Sequence, residues 1–347
     1  MAAANPAATP SGPEGRRPSP ALYDVMFGHV YASALHAVMV HGIPDLLADG
    51  PLTGEELAAR SGTQAGPLRR VMRLLVERGL FREGVDGGFA LAEAGELLRS
   101  DVPGSQRAAA FWATDEMFRR SAEALADSLR TGRAGFETAY GVPFFAYLAA
   151  DVEKGRVFDA AITSMTSDGV NEDVVRSYAF PGSGTVVDVA GGQGGLLGEV
   201  LGRYPGLNGV LFDQPETVAR HLLDAEELKG RWRTEGGDVF TAVPEGGDIY
   251  LLKNILHNWS DDDCLRILGS IRRATAPGTR LLVIDAVLPG DGTPHPAVGL
   301  DTVMLMLLDG RERTAAEFED LLTRSGFRLN RVVPTPSLVS VVEAEAV

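Results

Sequence analysis

Thr185-Val186-Val187-Asp188-Val189-Ala190-Gly191-Gly192-Gln193-Gly194-Gly195 decides the fold of this chain. A β-branched apolar run stops at a cluster of glycines, and an amphipathic segment, Leu196 to Arg203, follows. That order specifies a buried strand, a tight turn and a helix, the opening unit of a nucleotide-binding α/β domain. Glycines give the turn its backbone freedom and let a ligand approach the main chain. The dinucleotide fingerprint G-x-G-x-x-G/A needs a small third residue so that helix and strand pack closely. Counted from Gly192, that position is Leu197, so a pyrophosphate fits poorly.

Downstream, candidate strands at 185–190, 208–213, 231–235, 248–252, 279–286, 327–333 and 338–344 alternate with helices near 194–203, 215–228, 261–275 and 314–325. Such alternation predicts a mainly parallel sheet covered on both faces. Only Pro334-Thr335-Pro336-Ser337 joins the last two strands, too short a link for a crossover helix, so that pair is expected to be antiparallel. Open parallel sheets bind ligands at the carboxyl ends of their strands. The second strand ends in Asp213, about 20 residues past Gly191, where a carboxylate can take both ribose hydroxyls. Gly236-Gly237-Asp238-Val239-Phe240 follows the third, an acid beside apolar side chains that suits an adenine. The fourth ends in Leu252-Lys253-Asn254. Together these describe an adenosine site without a phosphate cradle, which points to S-adenosylmethionine.

Residues 21–46 read as a helix apolar on more than one face, with Leu22, Val25, Met26, Phe27 and Val30. Such a helix must be buried, and a second subunit is one way. His29, His36 and His41 in this stretch read as core or interface residues. Residues 52–100 read as a winged helix-turn-helix: Thr53 caps Gly54 to Arg60, a second helix runs from about Gln64 to Arg78, and a hairpin turns at Asp86-Gly87-Gly88. DNA binding through Arg69, Arg70 and Arg73 is the sharper reading. The surrounding Glu55, Glu56, Glu77, Glu83 and Asp86 favour a structural, dimerising role instead. Residues 106–180 read as helical, with clustered aromatics able to form a core or wall an apolar pocket.

The 347 residues carry 47 acidic and 32 basic side chains, a formal net charge of −15, which argues against a broad nucleic-acid surface. Cys264 is the only cysteine, so no intramolecular disulfide forms and a reducing, cytoplasmic setting is expected. It reads as a packing residue. No apolar run approaches the ~18–20 residues that span a bilayer, so no membrane partner is expected. Residues 1–20, rich in Ala, Pro, Ser and Gly, read as a disordered tail. No His/carboxylate cluster suggests a metal.

Five blocks in register give a more specific indication: Val187–Gly194, Phe212-Asp213-Gln214-Pro215, Gly237-Asp238-Val239-Phe240, Leu252-Lys253-Asn254-Ile255-Leu256-His257-Asn258-Trp259 and Gly310-Arg311-Glu312-Arg313-Thr314. By these the chain resembles the small-molecule O-methyltransferases of plant phenolic and bacterial polyketide metabolism, over about residues 20–345. The resemblance implies a Rossmann-like class I methyltransferase sheet, mainly parallel with an antiparallel last strand. It sets this behind an N-terminal all-α/winged-helix dimerisation domain. The implied organisation is a tail at 1–20, a winged-helix dimerisation domain at 21–105, a helical linker and acceptor-pocket region at 106–180, and an S-adenosylmethionine-binding domain at 181–347. By the same resemblance Gly191, Asp213, Asp238, Val239, Phe240 and Lys253 hold the cofactor. His257 is the general base, flanked by Asp285 and Glu312. Three positions depart from the family: Ala190 replaces a glycine, Asn258 an aspartate, and Ile162 a methionine near the reactive sulfur.

A phenol has a pKa near 10 and is a weak nucleophile at neutral pH, so an imidazole poised to remove its proton suits O-methylation. Asp285, taken as ending its strand, can fix the imidazole tautomer, and Glu312 can support the ring from a loop. Position and apolarity mark Trp112, Met117, Phe144, Phe145, Met165, Met304 and Leu308 as candidate pocket residues; the resemblance adds Ile162, and Asn254 joins them from the end of the fourth strand. The expected activity is S-adenosylmethionine-dependent O-methylation of a hydroxyl or carboxyl of a small aromatic secondary metabolite by a homodimer. One rival keeps the cofactor for hydroxylation or decarboxylation. Another is a ligand-sensing transcriptional regulator.

Overall fold

Thr53 closes a capping box with Glu56 and starts the helix Gly54–Ser61, as its position predicts. The computed structural model describes residues 20–166 and 169–347, so all but Pro20 of the expected tail lies outside the described residues. The helix Ala65–Glu77 buries Leu68, Met72 and Leu75 against Phe81, Phe89, Ile43 and Val38. Strands β1 (Leu52–Thr53), β2 (Phe81–Glu83) and β3 (Gly88–Leu91) form a small antiparallel sheet in the order β1-β3-β2. The wing turns where the Asp86 carboxylate accepts the Gly88 N–H and Gly87 takes φ +77°. Arg69 pairs with Glu55, and Arg73 with Glu83 at 2.8 Å, so two of the three groove-facing candidates are engaged by acids of their own unit. The helix Pro20–Val40 exposes Leu22, Val25, Met26, Phe27 and Val30.

The chain divides between Thr114 and Asp115 into two compact units. The helix Arg107–Thr114 therefore belongs to the first unit, where it packs on the helix Pro20–Val40 and the Thr114 hydroxyl meets His36 Nδ1 at 3.1 Å.

The second unit holds β4 (Gly184–Val189), β5 (Leu207–Asp213), β6 (Trp232–Gly236), β7 (Ile249–Lys253), β8 (Arg280–Leu288), β9 (Arg313–Thr314), β10 (Phe327–Pro334) and β11 (Val339–Ala346). Their order is β10-β11-β8-β7-β4-β5-β6, with β9 beside the end of β8. The pairs among β4, β5, β6, β7 and β8 are parallel, and β11 is antiparallel to both β8 and β10. All seven expected strands form within two residues of their expected bounds. The chain runs outward from β4 to β6, then returns to β7 on the other side of β4. The topological switch point thus lies between the ends of β4 and β7.

Side chains alternate across the sheet. Val187, Val189, Tyr250, Leu252, Leu281 and Val283 enter one core; Val186, Leu211, Ile249, Leu251, Leu282 and Ile284 enter the other. Leu197, the residue that spoils the dinucleotide fingerprint, is buried against Gly209 of β5, where an added Cβ would sit 3.0 Å from its methyls. The small residue that close helix–strand packing needs is on the strand instead.

One expected helix is corrected. Residues 215–228 form only the turn Pro215–Val218 and the 3-10 turn Glu226–Leu228. Between them the Leu222 N–H donates to Gln193 C=O at 2.9 Å, not to a carbonyl of its own helix, and Leu223 packs beside Gly194. A tertiary bond to the glycine turn replaces the helical one. The helix Ala297–Leu307, with β9 after it, was not anticipated.

Candidate active site

Two described non-glycine residues have left-handed backbone, Ala190 (φ 54°) and Asn254 (φ 55°), and they directly follow β4 and β7 at the switch point. Asparagine tolerates this conformation; for alanine it costs about 1–2 kcal/mol. The alanine that departs from the family's glycine therefore adopts a glycine-like backbone. Gly191 is required by what lies beneath it: a Cβ there would fall 2.5 Å from the Asp188 carboxyl and 2.8 Å from Leu211. Gly192 faces open space with φ +62°.

Asp213 is anchored at the end of β5. Its oxygens accept the Gly192 N–H at 2.8 Å and the Gln214 N–H at 2.6 Å. Burial holds its pKa above the ordinary value although these bonds act the other way. Each carboxylate oxygen retains a second lone pair for a hydroxyl donor. Asp238 is exposed and caps its own turn, accepting from Phe240 N–H at 3.0 Å and the Thr241 hydroxyl at 3.3 Å. The Val239 carbonyl accepts the Ser270 hydroxyl. The Phe240 ring meets Trp259 edge-on at 4.8 Å and lies under Arg266.

Beneath the turn the expected Lys253 is joined by an acid that sequence reading did not single out, Asp188. Asp188 is buried with both oxygens unpaired, and burial pushes its pKa up to about 7. Lys253, on the same face of the sheet, has its pKa lowered by burial, against the pull of the Asp188 charge. Its ammonium donates to Asn171 Oδ1 at 2.7 Å. Asp188 was hidden inside an apolar run, and Asn171 lies in a segment with no motif.

The other face of the same strand ends carries an imidazole. His257 sits on the 3-10 turn Leu256–Asn258 just after β7, and its side chain keeps 12 % exposure. Its Nδ1 meets Glu312 Oε1 at 2.8 Å. A carboxylate only accepts, so Nδ1 carries the proton and Nε2 presents a lone pair. Burial opposes protonation, but the Glu312 bond and the charges of Asp285 and Glu312 prevail and hold the His257 pKa above 6.5.

Asp285 does not end its strand as expected. It lies inside β8, paired in register with Ser340, and neither of its buried oxygens has a hydrogen-bond partner. Burial pushes its pKa up to about 6, with the nearby imidazole acting oppositely. Of the two carboxylates, Glu312 is the one that meets Nδ1, while Asp285 faces the imidazole with its charge.

The segment around Glu312 grips the His257 turn. Arg313 is buried and donates to the carbonyls of Leu256 at 2.8 Å and Trp259 at 3.1 Å, while pairing with Asp261 at 2.7 Å. The Cys264 thiol also donates to Leu256 C=O; burial pushes its pKa up to about 12, which suits a packing thiol. Gly310 lies directly on the backbone of the turn. The alternation Arg311-Glu312-Arg313 reads as surface charge in the sequence, so Arg313 was missed.

The candidate pocket residues fall in several environments. Met117 and Met304 are buried, Asn254 and Leu308 half-buried, and Ile162 and Met165 exposed at 37 % and 45 %. Phe144 is buried among the rings of Phe136, Phe145 and Phe158. Phe145 also stacks on Trp259 at 5.8 Å, joining the aromatic helices to the His257 turn. Trp112 is buried in the first unit.

A family profile for an O-methyltransferase domain matches residues 123–328, and one for an O-methyltransferase dimerisation domain matches residues 23–101. The chain is 39% identical over 329 residues to phenazine O-methyltransferase PhzM of Lysobacter antibioticus, covering 94% of this chain and 96% of that protein. It is similar to CalO1, a methyltransferase of calicheamicin biosynthesis solved in its SAH-bound form, with TM-score 0.83 and 43% identity over 94% of this chain and 97% of that one. It is also similar to NcsB1, an O-methyltransferase from neocarzinostatin biosynthesis in complex with S-adenosyl-L-homocysteine and 1,4-dihydroxy-2-naphthoic acid. That match has TM-score 0.76 and 32% identity over 91% and 96% of the two chains. Other relatives are N-methyltransferases. With both domains matched and the relatives covered almost end to end, this chain belongs to the O-methyltransferase family.

Proposed function

We propose that the chain transfers the methyl group of S-adenosylmethionine to a hydroxyl or carboxyl oxygen of a small aromatic secondary metabolite, with His257 as general base. The observation that carries this reading is the His257 Nδ1–Glu312 bond of 2.8 Å beside the switch point, which leaves Nε2 as the accepting nitrogen. The residues at the strand ends fit the cofactor. Asp213 suits a ribose diol, and Phe240 with Asp238 suits an adenine. The buried Asp188 and Lys253 offer one anion and one cation to a zwitterionic amino-acid end. When bound, S-adenosylmethionine supplies an electrophilic methyl carbon on a positively charged sulfur and keeps the electron pair of the broken carbon–sulfur bond.

His257 Nε2 takes the acceptor's hydroxyl proton as the oxygen lone pair forms the new carbon–oxygen bond. Glu312 and Asp285 stabilise the resulting imidazolium. Apolar side chains such as Met117, Met304 and Leu308 exclude water, which strengthens the reaction's loss of opposite charges. A carboxylate acceptor is already ionised, and there His257 orients rather than removes a proton. The matched dimerisation domain and the exposed apolar residues of helix Pro20–Val40 support a homodimer. No described helix is long and apolar enough to cross a membrane, and the reading sets the reaction in the cytoplasm, where the methyl donor is made.

The test is incubation with trideuteromethyl-labelled donor and a panel of phenols, hydroxynaphthoates and aromatic acids, read by product mass. Incorporation of one labelled methyl on oxygen is expected. Turnover of an acceptor to a hydroxylated or decarboxylated product without label would overturn the reading.

A further inference from the structure

We propose that Asp301 is a positioning residue that ties the acceptor-wall helix to the catalytic pair His257–Glu312. This inference rests on the base reading above and deepens it. Asp301 is the one charged residue of the helix Ala297–Leu307, where only the neighbouring Thr302 is also polar. Its Oδ1 accepts the backbone N–H of Glu312 at 2.9 Å. The same Glu312 reaches His257 Nδ1 with its side chain at 2.8 Å. One bond therefore links the helix that carries Met304, and ends next to Leu308, to the carboxylate that orients the base.

Among the described residues, Asp301 is the side chain that bonds the Glu312 backbone. The Glu312 side chain is fully buried, and its second oxygen, Oε2, has no partner. The neighbouring Arg313 and Gly310 hold the backbone of the His257 turn, not Glu312 itself. The helix Ala297–Leu307 also packs on β8, the strand of Asp285, and on the helices Glu116–Glu123 and Gly135–Tyr140. Seating of an acceptor against Met304 thus acts on the helix whose acid sets the height of Glu312 beneath the imidazole. A half-buried acid in a helix of this composition needs a polar partner, and the Glu312 N–H is the partner it has.

The test compares Asp301→Ala and Asp301→Asn in the full-length protein. With the acceptor identified by the labelled-methyl assay, Asp301→Ala is expected to lower kcat about 10- to 100-fold, with KM for the donor unchanged, because displacement of a catalytic group by about 1 Å costs that much. Asp301→Asn keeps an accepting oxygen and is expected to restore most of kcat. Nitrogen NMR of histidine-labelled protein, with the His257 signal assigned through His257→Ala, reads the pair without any acceptor. The His257 Nδ1 proton is expected downfield in the wild type and in Asp301→Asn, and shifted upfield in Asp301→Ala. An unshifted proton in Asp301→Ala, or an equal kcat loss in the Asn and Ala variants, overturns the proposal. Unchanged turnover in His257→Ala would instead remove the base reading, an outcome the NMR comparison does not depend on.

Discussion

His257→Ala is expected to lower kcat by about 10²–10⁴-fold, the range general-base catalysis contributes, while donor affinity stays within about 2-fold of wild type. The asymmetry follows from the sheet. His257 and its carboxylates lie on one side of the strand ends, with Asp285 on the face of Leu281 and Val283. Asp188 and Lys253 lie on the other, with Leu251 and Ile284. Removing the imidazole leaves the second group intact. It also leaves Glu312 and Asp285 buried without their cation, so any residual rate comes from positioning alone. The measurements are kcat by product mass and donor affinity by titration calorimetry. A wild-type kcat would mean that the acceptor proton leaves by another route.

Gly310→Ala is expected to lower kcat by about 10²-fold or more, although residue 310 has no side chain to offer the reaction. A Cβ at 310 would fall 2.0 Å from the His257 carbonyl oxygen, 2.4 Å from the Asn258 carbonyl carbon and 2.6 Å from the Trp259 nitrogen. All three are backbone atoms, so no side chain can swing aside. The turn has little freedom to yield, since Arg313 holds its carbonyls at Leu256 and Trp259 and is itself held by Asp261. The added methyl must therefore move the base or the Glu312 segment, breaking the alignment of Nε2. Overpacking of this kind costs about 1–3 kcal/mol of stability, so the variant should fold with a lowered Tm. Circular dichroism melts with kcat on the same preparation check this. A folded Gly310→Ala protein with wild-type kcat would show that the grip on the turn does not matter to catalysis.

The α/β sheet was legible because most of its strands are short apolar runs closed by glycine, proline or a polar residue, and local composition marks such runs well. The placement of Asp213 and His257 was legible for the same reason: one ends β5 and the other follows β7, where local composition fixes position. What failed was whatever depends on register or on distant partners. The Nδ1 contact goes to Glu312 because the depth of Asp285 within β8 is set by pairing with Ser340, which no spacing reveals. The helix expected over 215–228 was lost to a bond between Leu222 and Gln193. Asp188 and Arg313 were obscured by opposite neighbourhoods, one inside an apolar run and the other inside a run of charges. Asp301 had a usable signal, a lone acid in the apolar stretch Val298–Leu308, and it went unread.

The most direct test of the central claim is the pH dependence of kcat/KM for a phenolic acceptor in wild type and Glu312→Gln. A base must be neutral to act, so activity should fall as pH drops through the raised His257 pKa, giving an acidic limb centred above 6.5. Removing the Glu312 charge withdraws one of the forces that raise this pKa, so the limb should move to lower pH and the plateau should drop. A profile that is flat across this range, or one that Glu312→Gln leaves in place, would contradict the assignment of His257 as the base.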